Sequence, residues 1–260
     1  AVAWAPSAGW ADGVKGPVSG VAFVGGQRPR DPTRDGAMPR MQRLTERNVR
    51  QLARMPATDL LLFTADDGIH GRELWRSDGT RSQTRLVRDI ARGAVGSEPR
   101  DLVVDRGLAY FSADDGVHGR EPWVTDGTAA GTRMLSDVHP GASGSDPTGF
   151  VLMYDGVAFA ADDGVHGREP WASAGAAVTT RMLADIRPGT AGSDPSQLAY
   201  VNGALIMSAD DGVHGREPWS VYEGEATGLV ADLWPGPGGS DPSGIVAYAY
   251  DPLFIADAGD

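Results

Sequence analysis

A nine-residue string repeated every 48 residues, short apolar runs between glycine turns, and 36 Gly with 18 Pro in 260 residues predict an all-β chain, a five-bladed β-propeller of four-stranded blades. The string Ala-Asp-Asp-Gly-x-His-Gly-Arg-Glu occurs four times, its first Asp being Asp66, Asp114, Asp162 and Asp210. A Trp follows each copy, at Trp75, Trp123, Trp171 and Trp219. A second string, Gly-Ser-(Asp/Glu)-Pro, occupies Gly96–Pro99, Gly144–Pro147, Gly192–Pro195 and Gly239–Pro242. Between the two strings an Asp follows an apolar pair, at Asp89, Asp137, Asp185 and Asp232.

One period reads as four short strands. In residues 99–138 these are Asp101–Asp105, Leu108–Ala113, Glu121–Thr125 and Thr132–Val138, with a tight Asp126-Gly127 hairpin turn before the last. Pro122, Pro170 and Pro218 open the third strand, where a missing N–H is tolerable. The expected division is a single domain over 1–260, with blades at 52–97, 98–145, 146–193 and 194–241. Residues 242–260 begin a closing blade and residues 1–32 complete it, so both termini share the last blade. In that scheme Trp4 takes the place of Trp171, and Ser19–Gly25 is a fourth strand. Such closure leaves no open strand edge. An Arg-rich insert, 33–51, interrupts the period. Met41–Leu52 has partly helical spacing and predicts a short amphipathic helix. The innermost strand of the first blade is expected at Val49–Met55.

The net charge of −12 argues against a general nucleic-acid or anionic-membrane binder, since phosphate binding needs a basic footprint. It suits cations and partners with basic patches. With no Cys there are no disulfides, thiolate metal sites or thiol nucleophiles. No apolar run approaches a membrane span, and residues 1–10 lack the pattern of a signal peptide. The chain is expected to act as a monomer.

The segment Glu73-Leu-Trp-Arg-Ser-Asp-Gly-Thr80 resembles the bacterial ELWxxDGT repeat, and Glu121-Pro-Trp-Val-Thr-Asp-Gly-Thr128 extends the likeness. The resemblance covers roughly Arg50–Ser243. Around Trp171 and Trp219 the Asp-Gly-Thr turn is lost. The family implies a secreted or cell-surface bacterial protein and carries no catalytic residues to transfer. Blade length and five-fold count are also similar to tachylectin-type lectins, a likeness of architecture alone.

Topology places the Asp-Asp-Gly-x-His-Gly-Arg-Glu loop and the Gly-Ser-Asp-Pro loop on one rim. Structurally, the Asp residues cap turns, Arg pairs with Glu or with a neighbouring loop's Asp, and Trp packs between blades with its indole N–H paired. Functionally, the repeated candidates for binding a glycan or protein ligand are His70, Arg72, Glu73, His118, Arg120, Glu121, His166, Arg168, Glu169, His214, Arg216 and Glu217. Candidate Ca²⁺ ligands are Asp66, Asp67, Asp114, Asp115, Asp162, Asp163, Asp210 and Asp211, because Ca²⁺ takes carboxylate and carbonyl oxygens from Gly-rich loops. His139 is expected to be a solvated loop residue. Identical copies favour multivalent binding over catalysis, with no catalytic residue assigned. The alternatives are an enzyme with one asymmetric site at the channel mouth and a surface scaffold with Ca²⁺-stabilised loops.

Overall fold

Each period of the sequence forms one antiparallel sheet in the computed structural model, which describes residues 49–56, 58–222, 227–248 and 251–258. The first sheet holds β1 (Val49–Met55), β2 (Leu60–Asp66), β3 (Arg72–Ser77) and β4 (Arg85–Leu86), paired in chain order. The second holds β5 (Arg100–Asp105), β6 (Leu108–Asp114), β7 (Arg120–Thr125) and β8 (Arg133–Met134). The third holds β9 (Thr148–Met153), β10 (Gly156–Asp162), β11 (Arg168–Ser173) and β12 (Arg181–Met182). The fourth holds β13 (Ser196–Val201), β14 (Ala204–Asp210), β15 (Arg216–Tyr222) and β16 (Gly228–Leu229). Two further strands, β17 (Ser243–Tyr248) and β18 (Asp251–Ile255), pair with each other.

Alternation along the strands sends successive side chains into different seams. In the second sheet, Ala109, Phe111, Ala113 and Trp123 pack back against Met55, Leu62 and Leu74 of the first. Their sequence neighbours Tyr110 and Val124 face forward, onto Phe150, Val157 and Phe159 of the third. The core is therefore a series of seams between sheets, and the second, third and fourth sheets are apolar on both faces. The first strands β1, β5, β9, β13 and β17 lie side by side in that order.

Near its start each first strand carries a bulge with one left-handed residue: Gln51, Asp101, Gly149, Gln197 or Gly244. These bulges tie neighbours together. The Leu102 N–H donates to Gln51 Oε1 at 3.1 Å, and the Gly244 N–H donates to Gln197 Oε1 at 3.1 Å.

The strand expected at Val49–Met55 is present, so the first repeat begins at 49 rather than 52. The helix expected over Met41–Leu52 does not include 49–52, which pair with β2 instead. The rest of that helix, the N-terminal strands in 1–32 and most of the 33–51 insert lie outside the described residues. The fourth strand of each sheet is two residues long, not seven as expected from Thr132–Val138. Beyond it, in the second sheet, the Leu135 N–H still donates to the Pro122 carbonyl, and the N–H groups of Val138 and His139 then turn inward to the buried Glu121.

Candidate functional site

The loop between the second and third strands is built by its two aspartates. Asp66 Oδ1 accepts the Gly68 N–H at 2.8 Å. Asp67 Oδ1 accepts the N–H groups of Ile69 and His70 at 2.9 and 2.8 Å, and Asp67 Oδ2 accepts His70 Nδ1–H at 2.8 Å. The same turn recurs at Asp114/Asp115, Asp162/Asp163 and Asp210/Asp211, with imidazole contacts of 2.8, 2.7 and 2.7 Å. These carboxylates, expected as Ca²⁺ ligands, act here as turn acceptors. Among the described residues no group of three or more His, Asp or Glu is arranged to hold a metal ion.

The glutamate that ends the motif has a different role from the one expected. Glu73, Glu121, Glu169 and Glu217 are 0% exposed and cannot reach a ligand on the surface. Each carboxylate gathers the loop that leads to the next sheet. Glu121 accepts N–H groups from Val138, His139 and Ser145 at 3.1, 3.1 and 2.9 Å, and the Ser145 hydroxyl at 2.6 Å. Glu73 does the same with Ala91 and Ser97, Glu169 with Ile186, Arg187 and Ser193, and Glu217 with Leu233, Trp234 and Ser240. Burial pushes the Glu73, Glu121 and Glu169 carboxyls above their ordinary value, and the serine and backbone donors partly offset that rise.

The serine completes the link to the next sheet. The carbonyls of Ser97, Ser145, Ser193 and Ser240 accept the N–H groups of Asp114, Asp162, Asp210 and Asp257 at 2.8–3.0 Å. Close backbone approach makes two glycines per repeat obligatory: a Cβ on Gly144 would lie 2.3 Å from Arg120 N, and one on Gly119 would lie 2.6 Å from Gly144 N.

The motif arginines brace the same loops. Arg72 faces Glu98, Arg120 faces Asp146, and Arg168 and Arg216 both face Asp194. Arg168 also donates to the Asp146 carbonyl at 2.7 Å and to Thr148 Oγ1 at 2.6 Å. Their role is inter-sheet bracing of the kind expected for Arg and loop Asp. Trp75 donates its indole N–H to the Ala65 carbonyl at 3.2 Å. Contrary to expectation, the Nε1 atoms of Trp123, Trp171 and Trp219 are buried without a hydrogen-bond partner. His139 is half-buried rather than solvated, its ring lying against Gly164 of the next loop, and Arg187 takes the equivalent place against Gly212.

The imidazoles are half-exposed, each more open than the aspartate it pairs with. The hydrogen bond to its aspartate raises the pKa of each of His70, His118, His166 and His214, and the charges of Asp89, Asp137, Asp185 and Asp232 add to the rise. Burial opposes ionisation of Asp67, Asp115, Asp163 and Asp211. The donors from the histidine N–H and imidazole outweigh it and hold these carboxyls below their ordinary value. Beside each imidazole stands an exposed aliphatic: Ile69, Val117, Val165 and Val213, exposed to 68, 65, 62 and 66%. Sequence reasoning passed over this position as variable, although a β-branched aliphatic fills it in all four copies.

A separate cavity of about 350 Å³ lies at the bulges of the first strands, lined by Gln51, Leu52, Asp101, Leu102, Gly149 and Phe150 among others. It lies where the first strands of the first three sheets run side by side.

No known family model and no curated protein matches the chain. Among solved structures it is similar to a puromycin hydrolase mutant complexed with PGG, at TM-score 0.51 and 16% identity over 80% of this chain and 34% of that one. It is likewise similar to puromycin hydrolase itself, at TM-score 0.50 and 15% identity over 80% of this chain and 34% of that one. The chain thus spans about a third of the length of those hydrolases. At such identity the likeness concerns fold alone: this is an all-β, β-propeller-like repeat protein. No helix among the described residues is long and apolar enough to cross a membrane.

Glu121→Ala should strand three N–H groups and a hydroxyl, costing at least about 3 kcal/mol in chemical denaturation. A loss below about 1 kcal/mol would refute the clamp. The histidine pKa values are raised, so the stability their pairing contributes is present below the ordinary imidazole value and lost as pH rises through the raised midpoint. The aspartate part is present above the ordinary carboxylate value and lost as pH falls through the lowered midpoint. NMR titration should therefore place all four imidazoles above the ordinary value, with Asp115→Asn lowering the His118 midpoint alone. An unmoved His118 midpoint would show that Asp115 does not set it.

Proposed function

We propose that the protein is an exported bacterial β-propeller of five blades that binds a glycan through its repeated loop face, a protein ligand being the other class of partner. The observation that carries this reading is the aliphatic–imidazole pair displayed in each of the four loops. The fold accounts for the aspartates, glycines, arginines and glutamates of the motif. It gives no structural use to an exposed Ile or Val beside a half-exposed imidazole edge. Together they suit a sugar: the aliphatic packs on its C–H face, and imidazole Nε2 reaches a hydroxyl. Four equivalent weak sites on one rim would act through avidity. The likeness to the ELWxxDGT repeat supports export.

The closing blade rests on β17 and β18. Asp257 repeats the loop bond to the preceding serine, and β18 has no outer neighbour among the described residues. Leu253 and Ile255 of β18 are exposed, which fits a sheet that two N-terminal strands complete.

A glycan array probed with wild-type protein and with the combined His70→Ala, His118→Ala, His166→Ala, His214→Ala variant tests the binding reading. The expected result is a sugar hit that falls stepwise with each replacement, while each single replacement lowers the melting temperature far less than Glu121→Ala does. Undiminished binding by the combined variant, or no hit for the wild type, would overturn it. Deleting residues 1–25 should lower the melting temperature and promote self-association through β18; an unchanged melt and a monomeric elution would refute the shared blade.

A further inference from the structure

The first sheet departs from its copies at its outer edge. Arg76 on β3 is directly opposite Arg85 on β4. The corresponding pairs are Val124 with Arg133, Ala172 with Arg181, and Ser220 with Gly228. Like charges placed directly across a strand pair are destabilising, and this pair stands in a chain of net charge −12. Yet among the described residues no carboxylate pairs with Arg76, Arg85 or Arg88.

The neighbouring hairpin explains how Arg85 comes to be free. In the second sheet, Arg133 spends its guanidinium on the next hairpin, donating to the Gly175 carbonyl at 2.8 Å. In the first sheet the equivalent carbonyl, Gly127, is already taken by Arg76 Nη1 at 2.8 Å. Arg88, where the copies have Ser136, Ala184 and Ala231, donates to the Thr132 carbonyl at the far end of the same hairpin at 2.5 Å. Arg85 is thereby left exposed, with no hydrogen-bond partner among the described residues. The carboxylates of the two hairpins, Asp78 and Asp126, are each turned to their own loop, accepting the N–H and hydroxyl of Thr80 and of Thr128 at 2.8 and 2.6 Å. A cleft of about 260 Å³ opens between the two sheets here, lined by Arg76, Arg85, Leu86, Val87, Gly127 and Thr128 among others.

We propose that this cleft is an anion site that takes the oxyanion of a phosphate or sulfate group, with Arg85 as its free fork and Arg76 beside it. A guanidinium presents donors in a planar fork that matches such oxygens, and a bound dianion removes the cross-strand repulsion that the fold otherwise carries. The site is separate from the loop face, since it lies at the opposite ends of the strands, and it holds whether or not those loops bind sugar.

Isothermal titration with inorganic phosphate, inorganic sulfate, dextran sulfate and uncharged dextran tests the assignment on the full chain. The expected result is binding of the anions and none of uncharged dextran. Arg85→Ala should weaken binding about tenfold, the loss of one charge-assisted contact, without lowering the melting temperature of the ion-free protein, because Arg85 has no hydrogen-bond partner among the described residues and its removal relieves the repulsion from Arg76. Arg85→Lys should keep part of it. Arg92→Ala, which removes the same charge from an exposed loop elsewhere in the repeat, should bind like wild type. Dextran sulfate binding more tightly per sulfate than the free ion would identify a sulfated polymer as the source. Equal affinity would identify the free anion, and either result supports the site. No anion binding, or equal weakening by Arg85→Ala and Arg92→Ala, overturns it. The combined loop-histidine variant should keep anion binding, so failure of one site is distinguishable from failure of the other.

Discussion

The architecture depends on a buried glutamate carboxylate at the start of each third strand. An ionised carboxylate taken out of water is costly unless its oxygens are fully bonded. Here Glu121 meets that condition with three N–H groups and one hydroxyl from a single loop. The same loop gives its serine carbonyl to the next sheet's first motif aspartate. One side chain therefore fixes where a sheet ends, how the connecting loop folds, and where the following sheet begins. Geometric repetition follows from chemical repetition.

Once the clamp has set the spacing, apolar packing fills the seams. Side chains alternate between the seam behind and the seam ahead, so Phe111 and Tyr110 serve different cores although they are adjacent in sequence. The small variations sit at the loop crossing each seam. His139 and Arg187 fill the space over Gly164 and Gly212, while Ala91 leaves Gly116 uncovered. The seam therefore tolerates different residues, because the backbone donors to the glutamate are the same whatever side chain they carry.

Charge is distributed unevenly over this acidic chain. Each motif loop pairs an imidazole with an aspartate at 2.7–2.8 Å, concentrating titratable groups on one rim. At the opposite strand ends, the first sheet collects Arg76, Arg85 and Arg88 without carboxylate partners among the described residues. The imidazole–aspartate pairs help close the loop turns, while Arg76 and Arg88 tie the first sheet to the hairpin of the second. The pairs recur in all four motif loops, and the arginine cluster is confined to the first sheet.

The all-β class, the 48-residue period and the first strand at Val49–Met55 were legible in the sequence, because turn glycines and alternating apolar residues act locally. The turn role of Asp66 and Asp67 was legible for the same reason: an Asx turn closes within two or three residues. The fate of Glu121 was not, since its serine partner is 24 residues away and a charged residue in a Gly-rich string reads as exposed. The helix expected at Met41–Leu52 failed at its C-terminal end because pairing with β2 overrides the weak helical spacing of Val49 and Leu52. Local chemistry, repeated along the chain, determined the unit and its turns. Tertiary structure alone decided which charges are buried and which are left free, because burial depends on what the neighbouring sheet brings to each residue.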